Sequence, residues 1–230
     1  YHGIIHETLQ TVGAGPTGHL ETLTYRRGKS SYGYQDQDPP AIKFAKHAHL
    51  ARKWLLDHPD DTRMQFYLAR SLQDAGQREP AMEAYRQRAA MLHGWEEERS
   101  YSHYQVGMIQ IELGHDPTVA LLQAYGMGVP KAEPLVALAR WYRDDARRQF
   151  VLADLFARKA AEIFEPASAL FTQPWIYRFE AASEVAICAY WLGRKQDALE
   201  RFEALVPRVP PERQAWIAEQ LAICRRELGQ

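Results

Sequence analysis

From Ala41 onward the apolar positions of the chain recur at steps of three and four. Phe44, His47, Leu50, Ala51, Trp54 and Leu55 fall on one helical face, the stripe a helix needs in order to bury itself against a neighbour. Pro39-Pro40 suits the entrance of that helix, where a missing N–H costs nothing, and His58-Pro59-Asp60-Asp61 stops it. The next segment, TRMQFYLARSLQDAGQ, sets Met64, Tyr67, Leu68, Ser71 and Leu72 on one face and ends at Gly76, a natural left-handed cap. EPAMEAYRQRAAML then predicts a second helix after a short turn, which together describe an antiparallel helix hairpin.

The hairpin recurs. Ala69, Gly76, Ala81 and Tyr85 resemble the pattern of tetratricopeptide repeats: a small residue at the helix crossing, Gly at the turn, a small residue early in the second helix and an aromatic four later. Ala186, Gly193, Ala198, Phe202 and Pro210 repeat those offsets, with Lys195 to Val206 as the second helix. Two degenerate copies lie between them, one through Gly107 and Gly114, the other through Ala139 and Tyr142 with Ala153 and Ala157 on its return helix. The resemblance implies an all-α fold over residues 39–230, a right-handed superhelix of antiparallel helix pairs (an α-solenoid) in which each pair buries its face on the next. A last helix, about Glu212 to Leu228, is expected to cap the stack and to turn Glu212, Arg213, Arg225, Arg226 and Glu227 toward water.

Residues 1–38 follow another pattern. GIIHETLQTV and HLETLTYRR flank Gly13, Gly15, Pro16 and Gly18 and predict a short β-hairpin, followed by the loop GKSSYGYQDQDPP. The opening YHGIIHETLQ has neither the basic head nor the long apolar stretch of a signal peptide. It reads as the last piece of something larger, either a processed product or a fragment.

Composition narrows the partners. With 28 basic and 29 acidic side chains the formal net charge is -1, which supplies no field for steering onto nucleic acid or anionic lipid. Cys188 and Cys224 both lie inside apolar helical patterns, so buried reduced thiols of an intracellular, cytoplasmic protein are expected rather than a disulfide framework. No apolar run approaches the roughly 18 residues of a membrane-spanning helix.

The candidate chemistry is sparse. Asp36, Asp38, Asp60 and Asp61 stand at helix entrances and turns, where caps are expected rather than metal ligands. GAGPTG lacks both the spacing and the basic residue of a phosphate loop. His47 and His49, two apart on a helix, point away from each other, and His93 is expected to cap a helix that ends at Gly94. Glu96, Glu97 and Glu98 place negative charge at the start of the following helix. Trp54, Trp95, Trp141, Trp175, Trp191 and Trp216 could stack on sugars, but most are expected in the core. Cys188 has no nucleophile context and is expected to be inert.

Several stretches are similar to bacterial family 2 (inverting, GT-A-type) glycosyltransferases that carry a C-terminal tetratricopeptide-like helical region: GIIHE, FYLARSLQDAG, AYRQRAAMLHGWEEERSYS, AEPLVALARWYR, LFARKAAEIFEP and AYWLG. The resemblance implies that residues 1–38 are the tail of a catalytic domain whose nucleotide-sugar-binding part and acidic metal motif lie upstream. It implies a divalent metal, Mn or Mg, and a nucleotide sugar in the intact enzyme, with His6, beside Glu7, as a metal ligand there. This chain would then hold no catalytic or cofactor-binding residue of its own and would position an acceptor or support oligomerisation. The alternative is a free-standing tetratricopeptide-like module that binds a protein or peptide in its concave groove.

Overall fold

The computed structural model describes residues 39–167 and 170–229, and every regular element among them is helical. The β-hairpin expected within residues 1–38, and His6 with it, lie outside the described residues. Ten α-helices follow one another: α1 (Pro40–Asp57), α2 (Thr62–Asp74), α3 (Arg78–Ala90), α4 (Glu96–Glu112), α5 (Thr118–Tyr125), α6 (Glu133–Arg143), α7 (Phe150–Ala161), α8 (Ala181–Trp191), α9 (Lys195–Leu205) and α10 (Gln214–Glu227). A π-helical turn, Ile176–Glu180, leads into α8, and a 3₁₀ turn, Pro211–Arg213, leads into α10. The chain divides into two compact units, up to Ala84 and from Tyr85, with the division inside α3.

In the first unit α1 packs on α2. Asp61 ties the pair: one carboxylate oxygen caps α2 by accepting from the Met64 N–H at 2.9 Å, and the other accepts from the Trp54 indole at 2.9 Å. The capping role read for Asp61 is therefore realised. On α1 the fully covered residues are Ala48 and Ala51, whereas Leu50 is exposed. Phe44, His47, Trp54 and Leu55 are half-buried, so the predicted stripe is the covered face of α1, with Leu50 at its exposed edge. Gln65, buried on α2, donates to the Ala84 carbonyl at 2.9 Å and joins α2 to α3.

In the second unit neighbouring helices pack in sequence order, α4 on α5, α5 on α6, α6 on α7, α7 on α8, α8 on α9 and α9 on α10. The small residues at the expected crossings are buried: Ala139, Ala153, Ala157, Ala186 and Ala198 are all fully covered. Gly107 serves the same purpose on α4, since a Cβ there would come within 2.6 Å of the Leu121 side chain on α5. Ala69, Ala81 and Tyr85, the first set read from the sequence, are likewise fully covered.

Helix ends show how the turns are made. Gly76, Gly114 and Gly193 all have positive φ, and in each case the next residue's N–H reaches back to the last helical turn: Gln77 to Leu72, His115 to Gln110, Arg194 to Ala189, at 2.8–2.9 Å. These are Schellman closures, which glycine alone enters without a steric cost. The α6–α7 turn is longer and uses Arg148 in the left-handed region, φ 52. Near α3 and α4 the structure corrects the sequence reading. Helix α3 ends at Ala90, so His93 lies in the connection and not in a last helical turn. Glu96, Glu97 and Glu98 do occupy the first turn of α4, and Glu98 is buried in a pair with Arg88 of α3 at 3.3 Å.

The C-terminal end behaves as expected of a cap. Ile217 and Cys224 of α10 join a cluster with Leu199, Phe202 and Leu205, while Arg225, Arg226 and Glu227 face solvent. Cys188 and Cys224 are buried free thiols, and burial, reinforced by nearby Glu184, pushes the Cys188 thiol up to about 12. The tryptophans depart from expectation. Trp141 is buried, but Trp95, Trp175 and Trp191 are 40–50% exposed. Trp191 is held at the surface by stacking on Phe150 at 5.3 Å.

Candidate functional site

Two carboxylates stand where the apolar period of α8 would call for leucine or alanine. Glu180 closes the π-helical turn and Glu184 follows four residues later, so both project from the same side of one continuous helical run. Such wide turns commonly reposition a side chain at a functional site. Both are buried, Glu184 at 2% exposure, and a buried carboxylate needs a cationic partner.

The partners come from two other segments. Helix α6 is buried over nearly its whole first two turns, from Glu133 to Ala139, and releases its two arginines only in its last turn, where positive charge also suits the helix dipole. Arg140 Nε donates to Glu184 Oε1 at 2.7 Å, and its Nη2 donates to Glu180. Arg143 grips Glu184 with Nε and Nη2, using both carboxylate oxygens. Arg213, in the 3₁₀ turn before α10, donates to the remaining oxygen of Glu180 at 2.9 Å. Burial opposes the charge of Arg143, yet the Glu184 hydrogen bond and charge hold its pKa above the ordinary arginine value.

The arrangement is one-sided. The two carboxylates are saturated, but the three arginine side chains are 31–46% exposed, and of the five N–H donors on each guanidinium only one or two are used on the glutamates. Three cations against two anions leave one positive charge in excess. These arginines, with Phe179, Ile187 and Trp216, line a pocket of about 420 Å³. Arg140 is shared with a second pocket of about 410 Å³ beside Tyr104, Met108 and Trp141, whose wall also carries Glu133 and Asp144. Phe179, Glu180 and Arg213 are shared with a third of about 520 Å³, walled by Trp175, Arg178, Arg208 and Glu212. Arg147 lies flat over the Trp141 ring, a cation–π contact at the wall of the second pocket. A wider depression of about 870 Å³ opens between the end of α3, α4 and α5. It gathers Arg86, Glu96, Arg99 and His103, where burial and then Arg99 depress the histidine.

The open guanidinium edges can donate hydrogen bonds to an anionic group. Among the described residues no three His, Cys, Asp or Glu side chains come together as a metal would require. Asp60 is exposed, His47 packs edge-on against Phe44, and His49 is exposed on a different face of α1. Arg140, Arg143, Glu180, Glu184 and Arg213 were not singled out by the sequence reading. The available signal was a pair of glutamates four apart within the otherwise apolar FEAASEVAICAYW.

No family model and no curated protein matches the chain. Among solved structures it is similar to the nearly identical TPR-like repeats of a putative kinesin light chain from Podosopora anserina, with 17% identity over 84% of this chain and 99% of that one, and a TM-score of 0.44. A likeness of this size carries no functional meaning. Among the described residues no helix is long and apolar enough to cross a membrane.

Proposed function

We propose that this chain is a protein-interaction module, and that the face built by α6, α8 and the start of α10 binds an extended acidic segment of a partner protein. The observation that carries the reading is the arginine cluster. Two buried glutamates use both oxygens each to orient three guanidinium groups, which line a pocket open to solvent. Guanidinium forks match carboxylates geometrically, and side chains already held in place lose little freedom on binding. An overall charge of -1 gives no long-range attraction, so recognition rests on this local cluster and not on a basic surface.

A fluorescein-labelled peptide of alternating Glu and Ala, compared with its Gln counterpart, tests the reading by fluorescence anisotropy. The acidic peptide is expected to bind at least tenfold tighter, to weaken with added salt, and to lose at least tenfold on Arg213→Glu. Equal binding of both peptides, or no effect of Arg213→Glu, would sink the assignment.

The glycosyltransferase reading rests on the sequence stretches quoted above. Within it, the same face positions an acceptor or a second subunit beside an upstream catalytic domain, with His6 and a divalent metal acting only there. The sequence encoded immediately upstream of Tyr1 decides it: a nucleotide-sugar-binding domain supports the reading, and its absence removes it.

A further inference from the structure

The connection from α7 to α8 does not take a short path. Its residues 170–173 lie against α4 and the start of α6, and they are held the way a receptor holds a peptide. The Leu170 N–H donates to Glu97 Oε2 at 3.0 Å, and the Leu170 carbonyl accepts from Lys131 Nζ at 2.7 Å. The Gln173 N–H donates to Glu133 Oε1 at 2.7 Å, and its side-chain amide donates to the Tyr104 hydroxyl at 3.1 Å. Between these anchors Phe171 stacks on Tyr101 with ring centroids 4.3 Å apart, and Trp95 stands 6.3 Å away.

Three features distinguish this from ordinary loop packing. First, the gripping groups stand on regular elements: Glu97, Tyr101 and Tyr104 share one face of α4 at helical spacing, and Lys131 and Glu133 flank the start of α6. Second, three of the four hydrogen bonds go to main-chain groups, which every peptide possesses, so the grip does not depend on this particular sequence. Third, Phe171 has φ 59. A non-glycine aromatic in the left-handed region is a costly conformation that only its surroundings maintain. An unstrained ligand making the same contacts would therefore compete well.

Resting on the interaction-module reading, we infer that the α4 face together with the start of α6 is a second peptide-recognition site, filled in this structure by the chain's own residues 170–173. Its external occupant is a partner's extended segment that carries an aromatic side chain in the place of Phe171. The internal segment acts as a tethered competitor, at an effective concentration that a free peptide must exceed. Its release uncovers the aromatic pair Tyr101 and Trp95 and frees Glu97 and Lys131, which also face each other at 3.8 Å.

The probe is the capped hexapeptide LFTQPW, copied from residues 170–175, with LATQPW as its control. Phe171→Ala weakens the tethered competitor and leaves the groove intact. The full chain with Phe171→Ala is expected to bind LFTQPW at least tenfold tighter than the wild type, to ignore LATQPW, and to lose the gain when Tyr101→Ala is added. If folded Phe171→Ala protein binds LFTQPW no better than the wild type, the inference is overturned. Should Phe171→Ala fail to fold, amide hydrogen exchange on the wild type carries the test. Millimolar LFTQPW should speed exchange at the Leu170 and Gln173 amides and leave the α8–α9 amides unchanged, and unaltered protection at both would overturn the inference. The acidic-peptide measurement reads a different face, so either reading can fail alone.

Discussion

Helix α8 meets α9 and α6 by different physics. Toward α9 it presents Ala186 and Ala189, fully covered, and the pair closes tightly because nothing large intervenes. Toward α6 it presents Glu184, next to Glu180 of the preceding π-helical turn, and that contact is a set of charge-assisted hydrogen bonds to Arg140 and Arg143. The first contact joins residues close in sequence through the Gly193 turn. The second joins residues about forty positions apart, with α7 threaded between them. Apolar packing against the sequential neighbour follows from volume alone and is tolerant of which small residue is used. The charged contact is intolerant, because a buried carboxylate stripped of its partners pays the full cost of leaving water.

The comparison can be broken most forcefully on the charged side. Removing both partners of Glu184, as Arg140→Ala with Arg143→Ala, is expected to cost about 3 kcal/mol, the low end for breaking a buried pair because the guanidinium side is open to solvent. Adding Glu184→Gln should recover part of that loss, which urea unfolding would show. If the double variant unfolds like the wild type, the cluster is surface decoration and the asymmetry disappears.

On the packed side, Ala186→Leu forces a larger side chain into a fully covered crossing and is expected to cost about 1–3 kcal/mol. An exposed change such as Arg226→Ala should leave the melting temperature within error. The reverse ordering would mean that the helix register is wrong.

Cys188 lies on the same helix as both contacts and sharpens the comparison with a smaller effect that is lost only at alkaline pH. Burial, then Glu184, raises its pKa in the folded state to about 12, above that of an unfolded thiol. The folded state therefore holds its proton longer. Below an unfolded pKa of about 8.5 the contribution is fully present, and it is lost as pH rises toward 12. Native protein at pH 8 should resist iodoacetamide at Cys188, whereas urea-unfolded protein should react. Rapid labelling of the native thiol would show that this part of α8 is open.

Much of the fold was legible because its determinants are local. Ala69, Gly76 and Ala81, and again Ala186, Gly193, Ala198 and Phe202, announce helix, turn and crossing within a single stretch of chain. The sequence also determined the Asp61 cap, the burial of both cysteines and the solvent face of α10, since each depends on a residue and its near neighbours. Which tryptophans are exposed, where α3 stops, and that Leu50 points outward were decided by the tertiary structure, because the available covering surface lies elsewhere in the chain. The same holds for both candidate sites. Glu184 is an ordinary glutamate until α6 brings Arg140 and Arg143 to it, and Phe171 is an ordinary loop residue until α4 brings Tyr101 beneath it. Short-range spacing fixes the backbone of each helix pair, but the chemistry of these grooves arises only where distant pairs meet, and no local pattern encodes which charge or ring will be waiting there.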